Sequence, residues 1–244
     1  MLPEWKTGKV VDIINEAHNT KRFYIEVEGV QNFEFNPGQF VTLDLPIHEQ
    51  KNKRWRSYSI ASAPNGTNII ELIIVKLQGG LGTGYLFSFD DVKVGTTFPL
   101  RGPQGKFILP EELDKDLFLI CTGTGIAPFR SMVQHLHQQK IMHKKVHLIA
   151  GCRKFTDALY FEELLELTRA EENFFYHPVF SREEEVPKGG YKGYVHQVYE
   201  QLLAKEKHPA RFYLCGWKNM IDEAKERIGN LGYEKTDIHL ELYG

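Results

Sequence analysis

Cysteine is scarce in this chain: 244 residues contain three, Cys121, Cys152 and Cys215. An odd number of widely separated thiols argues against a disulfide framework, a metal site of closely spaced thiolates, and an iron-sulfur domain of the chain's own. Long apolar runs are missing as well. The opening stretch MLPEWKTGKV has no signal-peptide core, and no later segment is long enough to cross a bilayer, so a cytoplasmic protein without a membrane partner is expected. Neither sign of charge dominates, since 30 Lys and Arg face 32 Asp and Glu for a formal net charge of −2. That balance argues against a nucleic-acid partner and requires any charged ligand to be met by a local patch. There is no GxSxG to support Ser/His/Asp hydrolysis. His135 and His137 lie two apart on a helical stretch and face differently, so no metal is expected there. Internal repeats and low-complexity tracts are absent too.

With 42% hydrophobic residues the chain has ample material for a core, and its texture changes once, near residue 110. Before that point short alternating segments recur, KVVDIIN, RFYIEVEG, QFVTLDL and IIELIIVKL, punctuated by NPG, PNG and QGG. Such spacing predicts an antiparallel β-barrel or sandwich over residues 1–110. After it, buried-looking strands alternate with helical stretches from DLFLICT to NMIDEAKERIGNL. This order predicts an α/β doubly wound parallel sheet over 111–244. The expected junction is RGPQGKFILPEELDK, where two turns precede the first buried strand.

That first strand runs into CTGTGIAPFRSM. Gly123 and Gly125 permit a tight turn and a close backbone approach, and Pro128 suits the first turn of a helix, where its missing N–H costs nothing. Exposed N–H groups there favour a phosphate, although the same loop also serves simply to join strand to helix. In the first half, RWRSYSIASAP mixes arginine, tyrosine and serine within a strand-like stretch. If it is extended, Arg56 and Tyr58 share one face while Ser57 and Ser59 share the other. A rigid cationic fork beside an aromatic ring suits a ligand that is both anionic and aromatic; a polar edge strand is the alternative.

RSYSIAS, GGLGTGYL, GTGIAPFRS, LCGWKNM and a terminal ELYG resemble, in order and spacing, the ferredoxin-NADP reductase family of flavoenzymes. The resemblance spans essentially the whole chain and implies an FAD-binding barrel domain at 1–110 followed by an NAD(P)-binding domain at 111–244. It places Arg56 on the FAD pyrophosphate, Tyr58 beside the isoalloxazine and ribityl chain, and Ser59 near flavin N5. Ser57, Val75, Lys76, Gly82, Thr83, Thr124 and Tyr243 complete the implied FAD contacts. Gly80 to Thr83 would open a short phosphate-binding helix, with the extra glycines Gly82 and Gly84 departing from commoner versions. For the nicotinamide nucleotide the resemblance implies Gly123, Thr124, Gly125, Arg153, Ser181, Arg182, Cys215 and Gly216. Ser59, Cys215, Glu241 and Tyr243 are the implied catalytic set: the cysteine beside the nicotinamide, and the aromatic covering the flavin face that nicotinamide must occupy. Gly244 after that tyrosine is a further departure.

The Ser181–Arg182 pair is similar to the 2′-phosphate pair of NADPH-using relatives, and Arg153, Lys154, Lys188 and Lys192 add nearby cations. Glu183, Glu184 and Glu185 follow at once and would repel a phosphate that they faced, so NADPH is expected and NADH stays open. The resemblance implies hydride transfer between NADPH and FAD and single-electron exchange with a ferredoxin or flavodoxin. The basic stretch KNKRWR would attract such an acidic carrier, or merely be a charged loop tip. An NADH-dependent reductase component feeding an oxygenase is the alternative, and a non-catalytic flavin-binding sensor or regulatory subunit is the alternative from another class.

Overall fold

Phe23, Ile25 and Val27 are buried while their neighbours on the same strand are half-exposed, the period-two pattern of a sheet with one dry face. They belong to β2 (Thr20–Val27), which lies between β1 (Trp5–Ala17) and β5 (Ile69–Val75). Adding β3 (Phe40–Asp44), β4 (Trp55–Ser59) and β6 (Thr97–Gln104) completes an antiparallel sheet in the order β4-β3-β6-β1-β2-β5. An antiparallel bridge between Ile60, just past β4, and Leu72 of β5 joins the two ends of that row and closes the barrel. Val10, Phe23, Ile25, Val41, Leu72 and Leu100 are among the side chains that fill it. The computed structural model describes residues 3–204 and 208–243, so Gly244 lies outside the described residues.

Strand β5, IIELIIV, is buried almost throughout instead of alternating. Helix α2 (Ile126–Gln138) accounts for part of this: its residues Ala127–His135 group with the barrel, and Arg130 reaches Glu71 on β5. The first unit thus comprises the chain up to Leu109 plus that helical segment. One expectation is corrected here. Arg101–Gln104, read above as the start of a junction, are the last residues of β6 and pair with β1 and β3. The β3–β6 register shifts between Phe40 and Thr42, so Gly102 and Pro103 form a bulge and the proline needs no ladder partner.

The second unit comprises Pro110–Ile126 and the chain from Leu136. Its strands β7 (Asp116–Thr122), β8 (Val146–Cys152), β9 (Phe174–Phe180), β10 (Tyr191–Lys192), β11 (Ala210–Gly216) and β12 (Ile238–Leu242) form a parallel sheet in the order β10-β9-β8-β7-β11-β12. Helices α3 (Phe161–Ala170), α4 (Val195–Leu203) and α5 (Lys218–Asn230) connect them. Val195, Val198, Tyr199, Ile221 and Ala224 of α4 and α5 pack on Phe118, Ile120, Phe212 and Leu214 of the sheet. Chain direction across the sheet reverses beside β7, between the path through β8 and β9 and the path through β11 and β12. Ligands of open α/β sheets bind at the strand carboxyl ends beside such a reversal.

Candidate functional site

The implied site residues fall into one group in each unit. In the barrel, β4 carries Arg56 and Tyr58 half-buried, Ser57 exposed and Ser59 buried. Arg56 Nη1 donates to the carbonyls of Lys53 and Trp55 at 3.0 and 2.7 Å, which ties the guanidinium to the turn before the strand. Burial pushes the Tyr58 hydroxyl up to about 12 against the pull of the neighbouring Arg56 charge, so the phenol stays neutral. Ser57 Oγ pairs with Thr42 Oγ1 of β3 at 3.0 Å.

Gly82 sits in the first turn of α1 (Leu81–Phe87), behind the N-cap Gly80. A Cβ at Gly82 would meet Arg56 Cγ at 2.9 Å and Nε at 3.0 Å, so the glycine that seemed a departure is the surface on which the arginine lies. Gly84 has nothing within 4 Å of such a carbon. The Thr83 hydroxyl is engaged inside its own loop: it accepts from Leu77 N at 3.1 Å and lies 3.4 Å from Gly80 O. What this turn offers an anion is therefore main chain and the remaining Arg56 N–H groups, beside the exposed Leu81 side chain. Val75 ends β5, and Lys76 donates its backbone N–H to Asn19 O at 2.7 Å while its side chain is exposed.

In the second unit β7 ends in a single turn of 3-10 helix, Gly123–Gly125, that leads into α2. Gly123 takes a φ of +53°. A Cβ on Gly125 would fall 2.4 Å from the Cys215 carbonyl oxygen, and one on Gly216 would fall 2.4 Å from Thr122 Oγ1. Two glycines thus let the turn after β7 meet the end of β11 backbone to backbone. Thr122 Oγ1, buried beside them, has no hydrogen-bond partner among the described residues. Thr124 is half-buried in the same turn.

Parallel register sets Cys215 directly between Cys121 of β7 and Glu241 of β12. Burial, then the Glu241 charge and the Cys121 thiol, push the Cys215 thiol well above its usual range; a hydrogen bond from Tyr243 works the other way. Cys215 is a neutral, fully buried thiol, suited to filling space and not to nucleophilic attack. Tyr243 N donates to Gly216 O at 3.1 Å, which anchors the main chain of the aromatic residue.

Beyond β8 and β9 the two exits are zipped together. Ser181 N donates to Cys152 O at 3.0 Å and Arg182 N to Arg153 O at 2.8 Å. Arg153, Lys154 and Arg182 are exposed beside this seam. Glu183, half-buried, accepts the Phe155 N–H on Oε2 at 2.6 Å, whereas Glu184 and Glu185 are exposed. Lys192 lies 3.5 Å from the Glu184 carbonyl, and Lys188 is exposed. The engagement of Glu183 and the buried hydroxyl of Thr122 were not foreseen; neither has a local signal, because partner positions far apart in the chain create both. Among the described residues no cluster of His, Cys, Asp or Glu is placed to hold a metal.

Residues 7–108 match the oxidoreductase FAD-binding domain and residues 119–226 the oxidoreductase NAD-binding domain. Ferredoxin--NADP reductase B of Sorangium cellulosum is 32% identical over 217 residues, covering 86% of each chain. The anthranilate 1,2-dioxygenase electron transfer component of Acinetobacter baylyi is 31% identical over 88% of this chain, which spans 60% of that component's length. A ferredoxin NADP+ reductase from Neisseria gonorrhoeae, solved with bound FAD and NADP, superposes with a TM-score of 0.81 at 25% identity over 98% of both chains. Barrel, doubly wound sheet and both domain matches converge: the chain belongs to the ferredoxin-NADP reductase family of FAD- and NAD-binding oxidoreductases.

Proposed function

We propose that this chain passes hydride from NADPH to FAD and delivers the electrons singly to a ferredoxin or flavodoxin. In this reading residues 1–110 hold the flavin and 111–244 the nicotinamide nucleotide. The observation that carries it is the contact of Gly125 with the end of β11, main chain against main chain, which makes a close-packed floor at the switch point, with the neutral Cys215 thiol beside it. A planar nicotinamide needs such a floor, and the protein's contribution to hydride transfer is alignment.

Arg56 fits the flavin pyrophosphate: Nη1 is held by two carbonyls, and Nε and Nη2 remain for an anion. The uncharged Tyr58 phenol presents a flat surface and one donor to the isoalloxazine and ribityl chain, and Ser59 serves N5. Ser57, Val75, Lys76, Gly82 and Thr83 line the flavin, Thr83 by holding its loop. Gly123, Thr124 and Gly216 approach the nucleotide, while Glu241 and Tyr243 border the nicotinamide. Arg153, Ser181 and Arg182 meet the 2′-phosphate, which selects NADPH. Bound flavin supplies the chemistry that accepts a hydride and releases electrons one at a time. A cytoplasmic location suits three free thiols, and among the described residues no helix is long and apolar enough to cross a membrane.

Similarity to the dioxygenase electron transfer component favours a second reading, a reductase component that feeds an oxygenase. Anaerobic titration of the flavin-loaded protein with NADPH and then NADH, followed by addition of a [2Fe-2S] ferredoxin or a flavodoxin, separates these readings. Bleaching of the flavin absorbance by NADPH and onward reduction of the carrier support the first. Preference for NADH supports the second, and a flavin that neither nucleotide bleaches leaves only a binding role.

A further inference from the structure

Three glutamates follow the Ser181–Arg182 pair, and unpaired carboxylates there would oppose a 2′-phosphate. The first of them does something else. Glu183 leaves the end of β9 and accepts the Phe155 N–H at 2.6 Å, at the start of the 3-10 turn Phe155–Asp157 that follows β8. A carboxylate on a main-chain N–H makes a charge-assisted bond. Around it the same two segments are joined by Arg182 N to Arg153 O and Ser181 N to Cys152 O. The Cys152 thiol lies 3.2 Å from Lys154 O, and Lys154 N donates to Asp157 Oδ2 at 3.2 Å, so the Arg153–Lys154 segment is pinned on both sides. Phe155 also packs edge-on against Phe161, at 4.9 Å between ring centroids, which fixes the N–H that Glu183 holds. Arg153, Lys154 and Arg182 remain exposed beside the seam.

We infer that Glu183 is a positioning residue for nucleotide selection: by clasping Phe155 N–H it closes the seam between the β8 and β9 exits and holds Arg153 and Arg182 where one dianion meets both. The inference rests on the assignment of those arginines to the 2′-phosphate. It reverses the role that charge alone suggests, since a carboxylate next to a phosphate site here serves the phosphate. Holding two flexible arginines in register lowers the ordering cost of binding, and a seam left open raises it.

The test compares E183A and E183Q in the flavin-loaded protein. It reads KM and kcat with NADPH and NADH and, independently of turnover, the affinity for 2′,5′-ADP against 5′-AMP. The glutamine keeps an oxygen acceptor for Phe155 N–H and removes the charge; the alanine removes both. E183A should raise KM for NADPH about tenfold more than KM for NADH at similar kcat, with a matching loss for 2′,5′-ADP relative to 5′-AMP. E183Q should recover most of that loss. Tighter NADPH binding in both variants would show that Glu183 only repels the phosphate and would overturn the inference, as would equal losses for both nucleotides or a glutamine that behaves like the alanine. A wild-type flavin that no nicotinamide nucleotide reduces would overturn the functional reading itself. NADPH reduction retained with E183A unchanged would remove Glu183 alone.

Discussion

Arg130 Nη1 lies 3.0 Å from Glu71 Oε2 and 2.9 Å from the Ala61 carbonyl, with both charged side chains almost wholly buried. Tyr24 adds a hydrogen bond to the same carboxylate, and Ser131 Oγ donates to Ser62 O at 2.7 Å. The arginine of APFRS is thus the polar pin between α2 and β5. Removing one member strands the other in a dry site. Arg130→Ala should lower stability by about 3–5 kcal/mol, whereas Arg130→Met with Glu71→Leu should recover more than half of the loss. Urea unfolding of both variants measures this; equal losses would show that the pair is not coupled.

Gly82 and Gly84 stand two apart in one short helix and predict opposite outcomes. A methyl at Gly82 would sit 2.9 Å from Arg56 Cγ and displace the guanidinium, while one at Gly84 meets nothing within 4 Å. Gly82→Ala should weaken FAD retention by roughly 1.5–3 kcal/mol, the range expected for losing a charge-assisted phosphate contact, as should Arg56→Ala. Gly84→Ala should leave FAD affinity unchanged and stabilise the fold by about 0.4–1 kcal/mol. Flavin fluorescence on dilution and thermal melts read the two effects separately.

At Gly125 there is no flexible neighbour to yield. An added methyl would lie 2.4 Å from the Cys215 carbonyl oxygen and 2.7 Å from its carbon, so the ends of β7 and β11 would have to part. Gly125→Ala should cost about 1–3 kcal/mol of stability and abolish flavin reduction by NADPH while the FAD spectrum persists. Normal reduction kinetics in that variant would remove the floor from the mechanism.

Much of this was legible along the chain because it is local. Alternation placed Arg56 and Tyr58 on one face, and β4 holds both half-buried with Ser57 exposed. The strand-helix order after residue 110 carried the doubly wound sheet, since each element has its own apolar period. What could not be read depends on partners distant in sequence. Pro103 looked like a linker residue until the irregular β3–β6 register supplied a place for it inside a strand. Glu183 looked like a repelling charge because Phe155, 28 residues away, is invisible to any window around it. IIELIIV gave no sign that its glutamate would be covered by an arginine 59 residues on.

His147 and His177 form a buried pair, Nδ1 to Nε2 at 3.1 Å, and His177 continues to the Tyr191 hydroxyl at 3.3 Å. His147 is also stacked between Phe118 and Phe175, at 4.8 and 5.0 Å between ring centroids. Burial first, then the charges of His177, Lys145 and His208, drives His147 down to about 3, and burial drives His177 down to about 4, both from an ordinary 6.5. The folded values lie below the unfolded ones, so on acidification the unfolded chain takes up these protons first. Stability from the pair is therefore complete above about pH 6.5 and declines as pH falls towards 4 and then 3, by up to about 1.4 kcal/mol per pH unit for each histidine. Between neutral pH and pH 5 each should contribute a loss of up to roughly 2 kcal/mol. His147→Phe, which keeps an aromatic ring in the stack, should make the acid-induced fall in unfolding midpoint shallower, because one proton acceptor with a depressed folded value is gone. Urea midpoints of the wild type and the variant at pH 7, 6 and 5 decide it, and parallel slopes would show that the pair does not govern the acid response.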